Sequence, residues 1–313
     1  MANKKYHIPL FVIFSFLLII AVNLVFTDSV KANQISLDVF LPIAIKNSQS
    51  NQPIVVNHNN TDIQQIPDAW ITAAKPFVIH FAHTSHGSQI LSGLNWLEQI
   101  DQKYNAAVAV NGPVSIPADT SALRFYDGNN YPGTTYITPE LYWETTDGLT
   151  HTQSVTDTGL FDFSLWTWCG QMSYYSTEQI QQYNDTLNLL EQEYPQMRFI
   201  YFTGHTDGTT PESGSVLWRN NNLVREYVDS NRKVLFDFAD IESYDPDGVF
   251  YPNGTDGFTW CAGWCAAHPD DFSCQNLNFE CAHSDPLQCS LKAQAFWYLM
   301  ARLAGWDGTP APQ

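Results

Sequence analysis

Three places in the chain put chemically useful residue types at short spacing. The first is Ala82-His83-Thr84-Ser85-His86-Gly87, with Ser85 where an apolar run gives way to a helical pattern. A hydroxyl at such a strand-to-helix turn is exposed, and the N–H groups of the helix start can stabilise an oxyanion. The same position also suits a plain N-cap. The second is Glu280-Cys281-Ala282-His283, followed by Ser284-Asp285. A serine nucleophile needs a base, and the base needs an acid to orient it. Here Glu280 would hold the His283 imidazole while its other nitrogen faces Ser85, with Asp285 as the rival acid. The third is Thr203-Gly204-His205-Thr206-Asp207-Gly208. His205 is a candidate substrate contact or oxyanion donor, or equally a loop histidine bonded to nearby backbone.

Metal chemistry has weaker support. His80, His83 and His86 recur every third residue, but His80 is expected inside a strand, so the three should not converge. Cys261-x3-Cys265-x2-His268 with Cys274 fits no strong zinc spacing. Asp237, Asp240, Glu242, Asp245 and Asp247 read as structural, because Val249 and Tyr251 stand where a calcium loop needs oxygens. No metal and no cofactor are expected.

Elements that would position these groups alternate between strand and helix. Strands are expected at 77–82, 106–110, 161–168, 199–203 and 234–238, each a short apolar run. Helices are expected at 88–104, at 178–193 with Thr177 as N-cap, at 220–231 and at 291–303. Strands separated by helices imply parallel pairing with right-handed crossovers. The fold class is therefore α/β, a three-layer α/β/α sandwich with a mainly parallel sheet and a Cys-rich loop insertion. In such sheets sites form beyond the C-terminal strand ends, where the Ser85 and His205 motifs fall, and the Glu280–His283 loop ahead of the last helix can face the same rim.

In this order the motifs resemble the SGNH (GDSL-like) hydrolase superfamily. Ser85 follows the first strand, Phe161-Asp-Phe-Ser-Leu-Trp-Thr-Trp-Cys-Gly-Gln171 comes next, and Glu280-Cys-Ala-His283 precedes the last helix. The resemblance covers roughly residues 75 to 305. It implies a serine esterase with Ser85 as nucleophile, His283 as base and Glu280 as orienting acid. Three departures stand out. The family's Gly-Asp-Ser opening reads His83-Thr84-Ser85, its Gly-x-Asn-Asp block reads Trp168-Cys169-Gly170-Gln171, and its usual acid, Asp, is Glu280. The oxyanion would then rest on the Ser85 N–H with Gly170 or Gln171. The substrate expected is a small-molecule or glycan ester, an acyl group on a carbohydrate. The alternative is a non-catalytic glycan-binding or surface-attachment module on the same fold.

The remaining sequence concerns location. Lys4 and Lys5 precede an apolar run from Ile8 to Phe26, and Val30-Lys31-Ala32 forms a small-x-small cleavage pattern. Residues 1–32 are a signal peptide or an N-terminal membrane anchor, since the 8–26 run would span about 28 Å as a helix. Both versions place the rest of the chain outside the cytoplasm, secreted or tethered. Residues 33–67 read as a polar linker, 68–307 as the hydrolase domain and 308–313 as a tail. All six cysteines follow the export segment, and an even count there suggests disulfides. A net charge of −18 argues against a nucleic-acid partner and against an anionic membrane surface. Aromatic residues make up 14% of the chain, with ten Trp, enough for a large core and for sugar-stacking rings.

Overall fold

The computed structural model describes residues 52–110 and 112–310. The expected export segment, the first part of the linker and the last three tail residues lie outside that range. Seven strands form one sheet: β1 (Ile54–Val56), β2 (Val78–His83), β3 (Ala106–Val110), β4 (Leu123–Asp127), β5 (Phe163–Thr167), β6 (Arg198–Phe202) and β7 (Val234–Phe236). Their order is β1-β7-β6-β5-β2-β4-β3, and every pairing is parallel. The helices are α1 (Asp68–Ala74), α2 (Ser88–Ile100), α3 (Thr146–Thr156), α4 (Thr177–Glu193), α5 (Val216–Asn231), α6 (Phe238–Ser243), α7 (Thr259–Ala267) and α8 (Pro286–Leu303). Helices α1, α2 and α8 pack together, and α4 packs on α5, consistent with the expected three-layer α/β/α sandwich. Among the described residues no helix is long and apolar enough to cross a membrane.

Central strands of a doubly covered sheet are apolar on both faces. Strand β2 is buried at all six positions and β5 at all five. Helix α8 is buried without interruption from Leu287 to Ala301, so it behaves as core rather than as a surface amphipath. It meets α2 at Gly93, where a Cβ would come 2.0 Å from the Cys289 carbonyl oxygen. Only a hydrogen side chain lets the two backbones approach that closely.

The linker expected over 33–67 is shorter in the structure. Ile54–Val56 extends the sheet beside β7, with Ile54 and Val56 buried, and Ile63 and Ile66 join the core. Three apolar residues at alternate burial suffice for an edge strand, even inside a run of Asn and Gln. The cysteines also depart from full pairing. Cys265–Cys274 and Cys281–Cys289 are disulfides, whereas Cys169 and Cys261 are free. Cys261 is buried beside Gln288, and Cys169 lies just beyond the C-terminal end of β5.

His80, in the middle of β2, shows why the His80-His83-His86 spacing makes no metal site. Its Nδ1 faces Ser164 Oγ at 2.8 Å and its Nε2 faces the Gly128 carbonyl at 2.9 Å, both inside the core. Burial pushes its pKa down to about 4. A histidine neutral in the folded state and protonated when unfolded costs stability as pH falls from about 6.5 to about 4, on the order of 3 kcal/mol. Above pH 6.5 both states are neutral and the contribution is flat. Urea unfolding from pH 7 to pH 4 should show the parent losing about 3 kcal/mol more than His80→Gln. Coincident profiles for the two proteins would remove the assignment.

Candidate functional site

The chain runs from β2 to β3 and β4 on one side, then crosses to β5 on the other. A crevice opens at such a switch point, beyond the C-terminal ends of β2 and β5. Ser85 occupies that place: it opens a 3-10 turn, Ser85–Gly87, that leads directly into α2. Its N–H is the first of the turn and has no acceptor within it. Gly87 is required here, since a Cβ would lie 2.1 Å from Thr167 Oγ1.

Around Ser85 stand groups from five other segments. Cys169, after β5, brings its Sγ to 3.8 Å from the Ser85 hydroxyl and 3.4 Å from His86 Nδ1. His205, after β6, brings a ring nitrogen within 4.8 Å of the same sulfur. The two imidazoles stack in parallel, 3.7 Å between centroids and 2° between planes. His283 stacks on the other side of this pair, 5.0 Å from the His86 ring. Asp256 caps the group, with Oδ1 3.1 Å from His86 Nε2 and 3.7 Å from His205 Nδ1. Tyr136 faces Ser85 and Cys169, held there by a parallel bridge to His83.

The electrostatics follow from these contacts. Hydrogen bonds from His205 and then His86 lower the Cys169 pKa to about 5, against the opposing effect of burial. Burial pulls the His205 pKa down, but the Cys169 sulfur, Glu242 and the Thr206 carbonyl more than offset it, so it stands above its ordinary value. His205 donates Nδ1–H to the Thr206 carbonyl at 2.7 Å, which leaves Nε2 for the sulfur.

A buried network sets the two outer histidine loops. Lys292 of α8 is fully buried and pairs with Glu242 of α6 at 2.7 Å. Glu242 Oε2 accepts from the Thr206 N–H at 2.8 Å, which fixes the His205 loop. Lys292 also donates to Gln89 Oε1, and Gln89 Nε2 donates to the Ala282 carbonyl at 2.6 Å, which fixes the His283 loop. Asp237, Asp240 and Glu242 thus serve structure: Asp237 caps α6 and holds Arg225 at 2.7 Å, and Asp245 accepts from its own turn.

The expected site residues are partly assembled. Ser85, His205 and His283 share one rim, and Gly170 and Gln171 follow Cys169 on it. The N–H of Gly170 points to the Cys169 sulfur, and Gln171 Oε1 accepts from the Cys169 N–H at 2.8 Å. Gln171 therefore offers only its amide nitrogen to an oxyanion. His283 is exposed in a left-handed conformation, φ 59°, and Glu280 is exposed beside it along a groove with Ser92. Among the described residues no hydrogen bond joins His283 to Ser85 or to Glu280. The carboxylates that do meet an imidazole near Ser85 are Asp256, on His86, and Asp127, on His83. His86, Cys169, Asp256 and Tyr136 did not emerge from the sequence as site residues. A cysteine in an exported chain reads as half of a disulfide, and 170 residues separate His86 from Asp256.

No family model, curated protein or solved structure matches the chain. Likeness to the SGNH hydrolases thus rests on the order of the sequence motifs. The α/β/α layering is compatible with it but common to many activities.

Proposed function

We propose that the protein is an exported hydrolase that cleaves an ester, with an acyl group on a carbohydrate as the substrate class. The observation that carries this reading is the placement of Ser85 at the strand-to-helix switch point, on one rim with His283. Ser85 Oγ attacks the acyl carbonyl and its proton passes to His283, which returns it to the leaving alcohol. Water then releases the acyl group by the same path. The oxyanion is met by the Ser85 N–H and the Gln171 amide nitrogen. Glu280 is the acid on the His283 loop. The His283 ring stacks on His86 and has no carboxylate partner among the described residues. Two disulfides support an oxidising location outside the cytoplasm.

Labelling of the full chain with a fluorophosphonate probe tests the hydroxyl. Covalent modification mapped to Ser85, and lost in both Ser85→Ala and His283→Ala, is the expected result. A folded parent that stays unlabelled would sink the catalytic reading.

One observation favours a second reading, a glycan-binding module without turnover. Tyr136 and Tyr174 are 48% and 69% exposed, and both lie near Cys169 at the rim. Exposed tyrosines offer flat apolar faces with a polar tip, suited to sugar rings. This reading predicts glycan binding that is lost in Tyr136→Ala while the fluorophosphonate finds no target.

A further inference from the structure

We propose that His86, Cys169 and His205 form a binding site for one divalent ion of the zinc class, with an open fourth position beside Ser85. The inference does not depend on ester hydrolysis.

Three ligand atoms come from three different strand-end segments and lie within 4.8 Å of one another. One thiolate with two imidazoles is a donor set suited to zinc and its borderline neighbours. The distances around the sulfur fit a shared ion. For zinc–sulfur and zinc–nitrogen bonds at tetrahedral angles, sulfur and nitrogen are separated by roughly 3.5 Å. His86 Nδ1 stands 3.4 Å from Sγ. An oxygen in the fourth position would lie at a similar distance from the sulfur, and Ser85 Oγ is at 3.8 Å.

The outer ring nitrogens are held as those of ligating histidines are. A ligating histidine typically gives its other ring nitrogen to a carboxylate or a backbone carbonyl, which fixes the tautomer and raises ligand basicity. Both partners are present here. His86 Nε2 faces Asp256 at 3.1 Å, and His205 Nδ1 donates to the Thr206 carbonyl at 2.7 Å. Each ring thereby turns its free nitrogen to the sulfur. His83 is excluded from the set, with Nδ1 bonded to the Thr84 carbonyl at 2.7 Å and Nε2 3.0 Å from Asp127.

One feature opposes a fully preformed site. Two imidazoles on one tetrahedral ion have centroids about 5 Å apart, with the ion in both ring planes. His86 and His205 are parallel at 3.7 Å, so loading must splay the rings by more than 1 Å. The backbone of the His205 loop is tied down at the Thr206 N–H, so the change falls on rotation of the ring, whose side chain is 11% exposed.

The test is a titration of the full chain, stripped with a chelator and with its disulfides intact, by cobalt(II). The expected result is one equivalent bound, with visible bands of a four-coordinate ion, a near-ultraviolet thiolate-to-cobalt transition, and displacement of both by zinc. Cys169→Ser should remove the near-ultraviolet transition, and Asp256→Ala should weaken binding about 10- to 100-fold. Ser85→Ala, which ends ester turnover, should still bind cobalt, so the two proposals fail separately. Zinc should also slow alkylation of Cys169 by iodoacetamide. A folded chain whose Cys169 is alkylated equally fast with and without zinc overturns the site. Cobalt bands that persist unchanged in Cys169→Ser overturn it as well.

Discussion

Lys292→Ala is expected to destabilise the domain by about 3–5 kcal/mol, read as a fall in the urea midpoint. The ammonium is fully buried, and burial pulls its pKa down against the attraction of Glu242. Removing it leaves the Glu242 carboxylate, 3% exposed, without its counter-charge. A loss of that size is a large part of the 5–15 kcal/mol that holds an ordinary domain together. Converting both partners, Lys292→Met with Glu242→Leu, should recover part of the loss, because the uncompensated charge disappears as well. The recovery should be incomplete, since the Thr206 N–H then lacks its acceptor. A single variant that loses less than about 1 kcal/mol would show the pair to be solvated and the network dispensable.

The second large effect concerns Ser85. With p-nitrophenyl acetate as probe, Ser85→Ala should lower kcat by roughly 10⁵- to 10⁶-fold. His283→Ala should cost about as much, and the double variant no more than either alone, because nucleophile and base act as one unit. Glu280→Ala should matter far less, under about 10-fold, since its carboxylate makes no bond to the imidazole. Retention of more than a tenth of the parent rate in Ser85→Ala would move the attack to another group. Costs for Ser85→Ala and His283→Ala that add in the double variant would show two independent roles.

Much of this architecture was legible in the sequence wherever an apolar run stands between turn signals. β2, β5 and β6 were placed within two residues, because buried parallel strands are apolar on both faces. α4 showed its periodicity through Ile180, Tyr183, Leu187 and Leu190, all buried. β4 escaped notice because Arg124 and Asp127 interrupt it, yet both charges sit at the strand ends, Arg124 donating to the Pro76 carbonyl. α8 begins five residues before the apolar pattern suggests, with Pro286 at its first turn. Its Lys292 and Gln294 look like a solvent face and are buried instead, each with a partner across the core.

Within the site, topology predicted more than motif did. The rule that loops beyond strand ends carry function placed Ser85 and His205 on one rim without any contact being known. Spacing could not reveal that Cys169 avoids a disulfide, because pairing depends on which sulfur lies within reach in space. Nor could the Glu-x-x-His spacing show that His283 adopts a left-handed backbone, which leaves Glu280 beside it but unbonded.

The innermost helix is also among the last parts of the domain to be made. α8 supplies Lys292 to the network under both histidine loops, Cys289 to the disulfide beside His283, and a close seat for Gly93. A nascent chain stopped short of residue 286 has its strands and most of its helices but lacks the helix that packs on α1 and α2. Such a chain exposes apolar surface throughout the time it takes to complete, and that surface is prone to association. Order of synthesis thus leaves the two histidine loops without their Lys292 support until the last helix has been made.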